Sequence, residues 1–277
     1  SPVSGYWGGI IINGKAPISG QSADKSDTGL TEIDNSFKYG GNVDDDNSGS
    51  LTYVQICYAG ARSTADIEHN GLTLNGVGSG TKIENIYVLE SADDAIEFFG
   101  GTVNVTNLLA VNPDDDMFDF TQGYSGTLKN CYGVWENGYT STEADPRGIE
   151  ADGNLDGLYP THLRQSDFRV ENMTIVNNAA DKADNVDRMQ DVIKIRRGAK
   201  AAIVNALVKG TGGSIDLIDM SDSKGAGNAD SSVSITNSLN LTGKKLNGTL
   251  NTFAEPAGNT GTDVSLFTWT GYNFSSL

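Results

Sequence analysis

The chain has 277 residues, enough for a sizeable core in one or two domains. Its formal charge of −17 excludes nucleic acid and anionic membranes as partners, because both demand a cationic face, and makes cations the expected ligands. Abundant Gly, Asn, Asp, Ser and Thr, few aromatics and no sustained 3.6-residue period predict an all-β chain; no run nears the ~18 apolar residues of a membrane span, so direct membrane insertion is not expected.

The first predicted element is the strand Trp7-Gly8-Gly9-Ile10-Ile11-Ile12. No signal peptide precedes Ser1, so the chain reads as a processed or trimmed form of something longer. A turn-rich insertion follows over 15–50, containing Asp44-Asp45-Asp46-Asn47, and strand pattern resumes at Leu51-Thr52-Tyr53-Val54. Cys57 and Cys131 both lie inside apolar strand patterns; two cysteines make no disulfide framework, and buried free thiols are the expectation.

From Leu72 onward two strand series interleave. The first has an apolar-polar-apolar centre: Leu72-Thr73-Leu74, Ile96-Glu97-Phe98, Phe118-Asp119-Phe120, Ile149-Glu150-Ala151, Ile193-Lys194-Ile195 and Ile215-Asp216-Leu217, with starts 24, 22, 31, 44 and 22 residues apart. The second carries a central asparagine, at Asn85, Asn107, Asn130, Asn172, Asn205 and Asn237. One unit of about 22 residues repeated with insertions predicts a right-handed parallel β-helix, since a single coil cannot bury its inward side chains and stacked coils can. Aligned asparagines then form a ladder of side-chain amides, with turn formation as the alternative use of those residues.

The solenoid is predicted over 1–250, with insertions at about 15–50, 136–166 (interrupted by the Ile149 strand), 177–190 and 219–232; three of these loops abut the Ile149 and Ile193 strands. Residues 251–277 form a C-terminal cap or tail; an uncapped coil would leave a sheet edge open to end-to-end assembly.

Trp7-Gly8-Gly9-Ile10, Asn47-Ser48-Gly49 with Leu51-Thr52-Tyr53-Val54, the run Asn70-Gly71-Leu72-Thr73-Leu74-Asn75-Gly76-Val77-Gly78-Ser79-Gly80-Thr81, and Asp93-Asp94-Ala95-Ile96-Glu97-Phe98-Phe99-Gly100-Gly101 carry a resemblance. Through them the chain resembles a family of secreted or lipid-anchored bacterial surface proteins with a pectate-lyase-like β-helix, over most of 7–217. The resemblance implies fold and an extracellular or cell-surface location; it carries no settled activity.

The outward residues of the first series, Thr73, Glu97, Asp119, Glu150, Lys194 and Asp216, form one polar stripe, with Arg147 and Arg196 nearby. If the stripe is catalytic, Glu97, Asp119 and Glu150 hold Ca²⁺ and Lys194 or Arg196 acts as base, or adjacent acids work as a hydrolase pair. The plainer reading is a solvated sheet face. Asp44, Asp46, Asp93, Asp94, Asp114, Asp115 and Asp116, in turns before strands, are candidate calcium ligands, against the alternative of solvated turns. His69 and His162, the only histidines, show no triad or zinc spacing.

Two functional classes follow. The favoured one is a surface protein with a structural, adhesive or self-assembly role, stabilised by calcium and partnered by extracellular glycan or by copies of itself in an oligomer or filament. The other is a calcium-dependent polysaccharide lyase or glycoside hydrolase acting on acidic extracellular glycans.

Overall fold

Alternation along each short strand decides the architecture. In Ile96–Phe99, Ile96 and Phe98 are fully buried while Glu97 points outward, and the same in-out pattern recurs in Phe118–Thr121 and Ile149–Asp152. The computed structural model describes residues 4–20, 28–64, 67–180 and 188–277. Within it these strands stack in parallel into an eight-stranded sheet, ordered along the chain from Ile10–Asn13 through Asp191–Arg196 and Asp216–Asp219 to Leu246–Asn247. A second eight-stranded parallel sheet holds the longer strands, from Ser50–Cys57 through Lys82–Leu89, Val105–Val111, Thr127–Trp135, Asp167–Asn177 and Lys200–Lys209 to Thr252–Ala254. Successive coils contribute one strand to each sheet, which makes the chain a parallel β-helix. The apolar interior runs between the sheets, and its rings stack along the axis: Phe98 lies 5.0 Å from Phe120, which lies 4.1 Å from Phe168.

The asparagine ladder is present, and it is also a corner. The Nδ2 of Asn107, Asn130, Asn172 and Asn205 each donates to Oδ1 of the asparagine one coil earlier at 2.9–3.0 Å. All five residues from Asn85 to Asn205 have φ between 55° and 61°, a left-handed conformation that asparagine tolerates better than most side chains. The bend shifts the alternation by one residue, so Val105 and Leu108 both face inward across Asn107. Turn and ladder are therefore one device. The sixth asparagine stays outside it: a register shift between Ile203 and Ala206 sets Asn237 opposite Val208, and its Oδ1 accepts the nearby Leu239 amide at 3.1 Å. Asn205 is covered instead by the backbone amides of Thr260 and Gly261 at 2.8 and 3.3 Å.

The C-terminal segment does not lie over the last coil as a cap. It runs back along the outside of the long-strand sheet, where Phe267, within the 3₁₀ turn Val264–Thr270, packs on Tyr87, Leu109, Val111, Tyr132, Val134 and Val176. Those outward positions beyond the corner are apolar and need cover. Cys57 and Cys131 are free thiols, and Cys131 is buried.

Candidate functional site

Strand register converts the polar stripe into a stack. Thr73 pairs with Glu97, Glu97 with Asp119, Asp119 with Glu150, and Glu150 with Lys194. Consecutive coils bring these side chains to within ~5 Å of one another at the backbone. The next member is Asp219 and not Asp216, because Ile193 aligns with Ile218 and Asp191 takes Asp216 as its partner. Three residues before each stripe position runs a second stack at the strand entrances, Asn70, Asp94, Asp116 and Arg147, held in register by backbone bonds from Gly71 to Asp94, Ala95 to Asp116 and Met117 to Arg147 of 2.9, 3.0 and 3.1 Å.

Over the stripe lies the first insertion. Its antiparallel strands Thr28–Leu30 and Lys38–Gly40 form a flap, pinned where the buried Tyr39 hydroxyl donates to Gln122 Oε1 at 2.6 Å. Flap and sheet enclose an open cleft of about 340 Å³, walled by Glu32 and Asn35 from the flap, Glu97, Asp119 and Glu150 from the stripe, and Arg196. Leu155 and Asp156 of the loop after Ile149–Asp152 close one side. Four of the five catalytic candidates, Glu97, Asp119, Glu150 and Arg196, thus converge. Lys194 does not wall the cleft: its Nζ is held by Asp219 Oδ2 at 2.5 Å.

The carboxylates differ in their circumstances. Glu150 is clamped by Arg147 and Arg196, and Asp152 by Arg196 Nε and Arg197 Nη1, each at 2.6 Å. Burial, with the Glu150 charge, still raises Asp152 to about 6. Glu97 accepts a bond from Asn70 Nδ2 at 2.7 Å, yet burial and the charges of Asp119 and Glu32 push it well above the usual carboxylate range. Burial and Glu150 do the same to Asp119. Glu32 is raised to about 7, first by burial and then by Asp156 and Glu68. Glu32 and Asp156 escaped sequence reading, and the only available signal was the apolar-polar alternation of Leu30-Thr31-Glu32-Ile33 inside an otherwise turn-rich loop.

The aspartate turns divide. Asp93, Asp94 and Asp115 form one group with carboxylate oxygens within 4.8 Å, and Asp94, Asp116 and Asp119 form another. Asp44, Asp46 and Asp114 stand apart. The Asp44 carbonyl accepts from Ser79 N at 3.1 Å. Asp46 Oδ2 accepts from Ser48 Oγ at 2.7 Å and Gly78 N at 3.1 Å. Asp114 Oδ1 anchors the loop after Trp135 through Tyr139 OH at 3.0 Å and Thr142 N at 2.9 Å. These three tie turns together.

No curated protein and no solved structure matches the chain. The family described as the pectate-lyase like beta helix domain matches residues 1–271. A match over nearly the whole length, on a chain whose coils, corners and parallel sheets follow that architecture, places the protein in the pectate-lyase-like β-helix domain family.

Proposed function

We propose that the protein is a glycan-processing β-helix of the bacterial cell surface or surroundings, hydrolysing a glycosidic bond in the flap-covered cleft. The observation that carries this reading is that carboxyl groups from two separate elements, Glu32 on the flap and Glu97 on the stripe, wall the same open cleft. Glycoside hydrolysis needs two carboxyl groups flanking the scissile bond, one protonated and one ionised. Glu97, which burial and the charges of Asp119 and Glu32 push well above the usual carboxylate range, holds its proton and donates it to the leaving oxygen. Glu32, at about 7, is ionised on the alkaline side of neutrality and takes a proton from the attacking water as its oxygen joins the anomeric carbon. Glu150, fixed by two guanidinium groups, holds the neighbouring stretch of cleft wall rigid.

A lyase mechanism fits less well, because its candidate base Lys194 is ion-paired outside the cleft and Arg196 is bonded to Glu150 and Asp152. End-to-end self-assembly is also less favoured, since continuing the ladder past Asn205 would displace the Thr260 and Gly261 amides.

The test is release of reducing ends from a panel of neutral and acidic polysaccharides. Glu32→Gln and Glu97→Gln should each lower turnover by roughly 10²–10⁴-fold without lowering the thermal unfolding temperature. Wild-type activity in both variants, or no release from any glycan, would remove the proposal.

A further inference from the structure

We infer that one hard divalent cation, of calcium's size, binds between Asp94, Asp116 and Asp119 behind the cleft wall and forms part of the folded coil stack. Each of these residues offers a carboxylate oxygen within 4.8 Å of the other two. That is the spacing of oxygens placed around one ion at calcium's 2.3–2.6 Å bond length. The ligands come from two successive coils and are preset by the fold: Asp94 Oδ1 accepts the Asp116 backbone amide at 2.9 Å, and Asp119 is fixed by strand register against Glu97.

A cluster of acids alone would say little. The independent observation is an orphaned oxygen. Asp116 is only 2% exposed, and its Oδ1 has no hydrogen-bond donor. Asp119 Oδ1 is likewise buried without a donor, as is Oδ1 of Asn70, 3% exposed and one coil earlier in the Asp94–Asp116 stack. Buried polar oxygens are almost always satisfied, and a buried carboxylate left bare is strongly destabilising.

The molecule supplies its own comparison. At the same two stack positions farther along, Asp191, Asp216 and Asp219 form a third group of this kind. There the protein provides the cations itself: Lys194 Nζ sits 2.5 Å from Asp219 and Arg147 Nε 3.0 Å from Asp191. Around Asp94, Asp116 and Asp119 no lysine or arginine among the described residues comes within ion-pair distance; the Arg147 and Arg196 charges act on Asp116 and Asp119 only from farther off. The guanidinium groups on the following coils are given to Asp145, Glu150, Asp191 and Asp152. A metal ion would do in the earlier coils what Lys194 does in the later ones.

The experiment uses the chelator-stripped full chain titrated with CaCl₂ in a calorimeter, with thermal unfolding measured with and without the metal. Saturable binding of about one ion and a rise in Tm of roughly 3 °C or more are expected. Asp116→Asn keeps the shape and removes one ligand charge; it should lose both responses and melt, without calcium, at or above the wild-type temperature. Asp45→Asn, outside the group, should keep both. If Asp116→Asn fails to fold, Asp119→Asn is measured in the same way. No heat and no shift in the wild type would mean that protons alone neutralise the group, and an undiminished response in Asp116→Asn would mean diffuse binding to an acidic surface; either outcome overturns the inference. Because the readout is binding and unfolding, it stands or falls independently of glycan cleavage.

Discussion

Arg147 shows how much of the site rests on single side chains. It is 6% exposed and bonds Asp191, Glu150 and Asp145, so it joins the entrance stack to the stripe. Burial works against its charge, but Glu150, Asp116, Asp145 and Asp191 together more than offset that and hold it ionised. Arg147→Met would leave Asp191 without its guanidinium partner and Glu150 with only Arg196. Breaking a buried pair from one side costs about 3–5 kcal/mol, so the urea midpoint should fall steeply. Arg169→Met, whose partner Glu171 is on the surface, is the matched control and should cost less than about 1 kcal/mol. Similar losses in the two variants would show that the Arg147 network is solvated.

At the scale of one coil, the asparagine corners combine two energies that substitution can separate. Asn130→Ala removes the amide bonds to Asn107 and Asn172 and also forces alanine to φ 58°. Each contribution is about 1 kcal/mol, so a total loss near 2 kcal/mol is expected. Asn130→Gly removes the same bonds but adopts that φ freely, so it should recover part of the loss; an alanine variant as stable as glycine would mean the corner is unstrained. These corners were legible in the sequence because successive coils repeat them with one apolar residue two places before the asparagine and another directly after it. Glu97, Asp119 and Glu150 were legible as a stripe for the same reason. The repeat could not reveal the shift between Ile203 and Ala206, which moves Asn237 off the ladder, or the three-residue offset that puts Asp219 where Asp216 was expected. Nor could it place Glu32 over the stripe, because the flap reaches the cleft by folding back over distant coils, and local pattern carries no record of that.

The whole molecule concentrates acid, and this inverts its expected response to pH. Glu32 is raised to about 7, and Asp152 and Asp191 to about 6, burial being the leading cause in each. A carboxyl with a folded pKa above its unfolded value, near 4, binds protons more tightly in the native state, so stability falls as pH rises between those values. Asp219 and Asp222 have the opposite sign. Lys194 and Ser221 hold Asp219 below the usual range despite burial, and the Lys224 amide and Arg197 do so for Asp222. Their contribution is present above the unfolded pKa and is lost only below about 4. Burial lowers His69, so it withdraws stability as pH drops through about 6.5. One histidine faces four carboxyls raised to about 6 or 7, Asp115 being the fourth, and behind them Asp93, Asp94, Glu97, Asp116 and Asp119, which burial holds well above the usual carboxylate range. The metal-free chain should therefore unfold at higher urea at pH 5 than at pH 8, the reverse of a protein whose carboxylates are mostly ion-paired. Glu32→Gln should shrink the difference, because its amide does not titrate. A midpoint that rises steadily from pH 5 to pH 8 in the chelated protein would contradict the burial of these groups and, with it, the seating of the flap over the cleft.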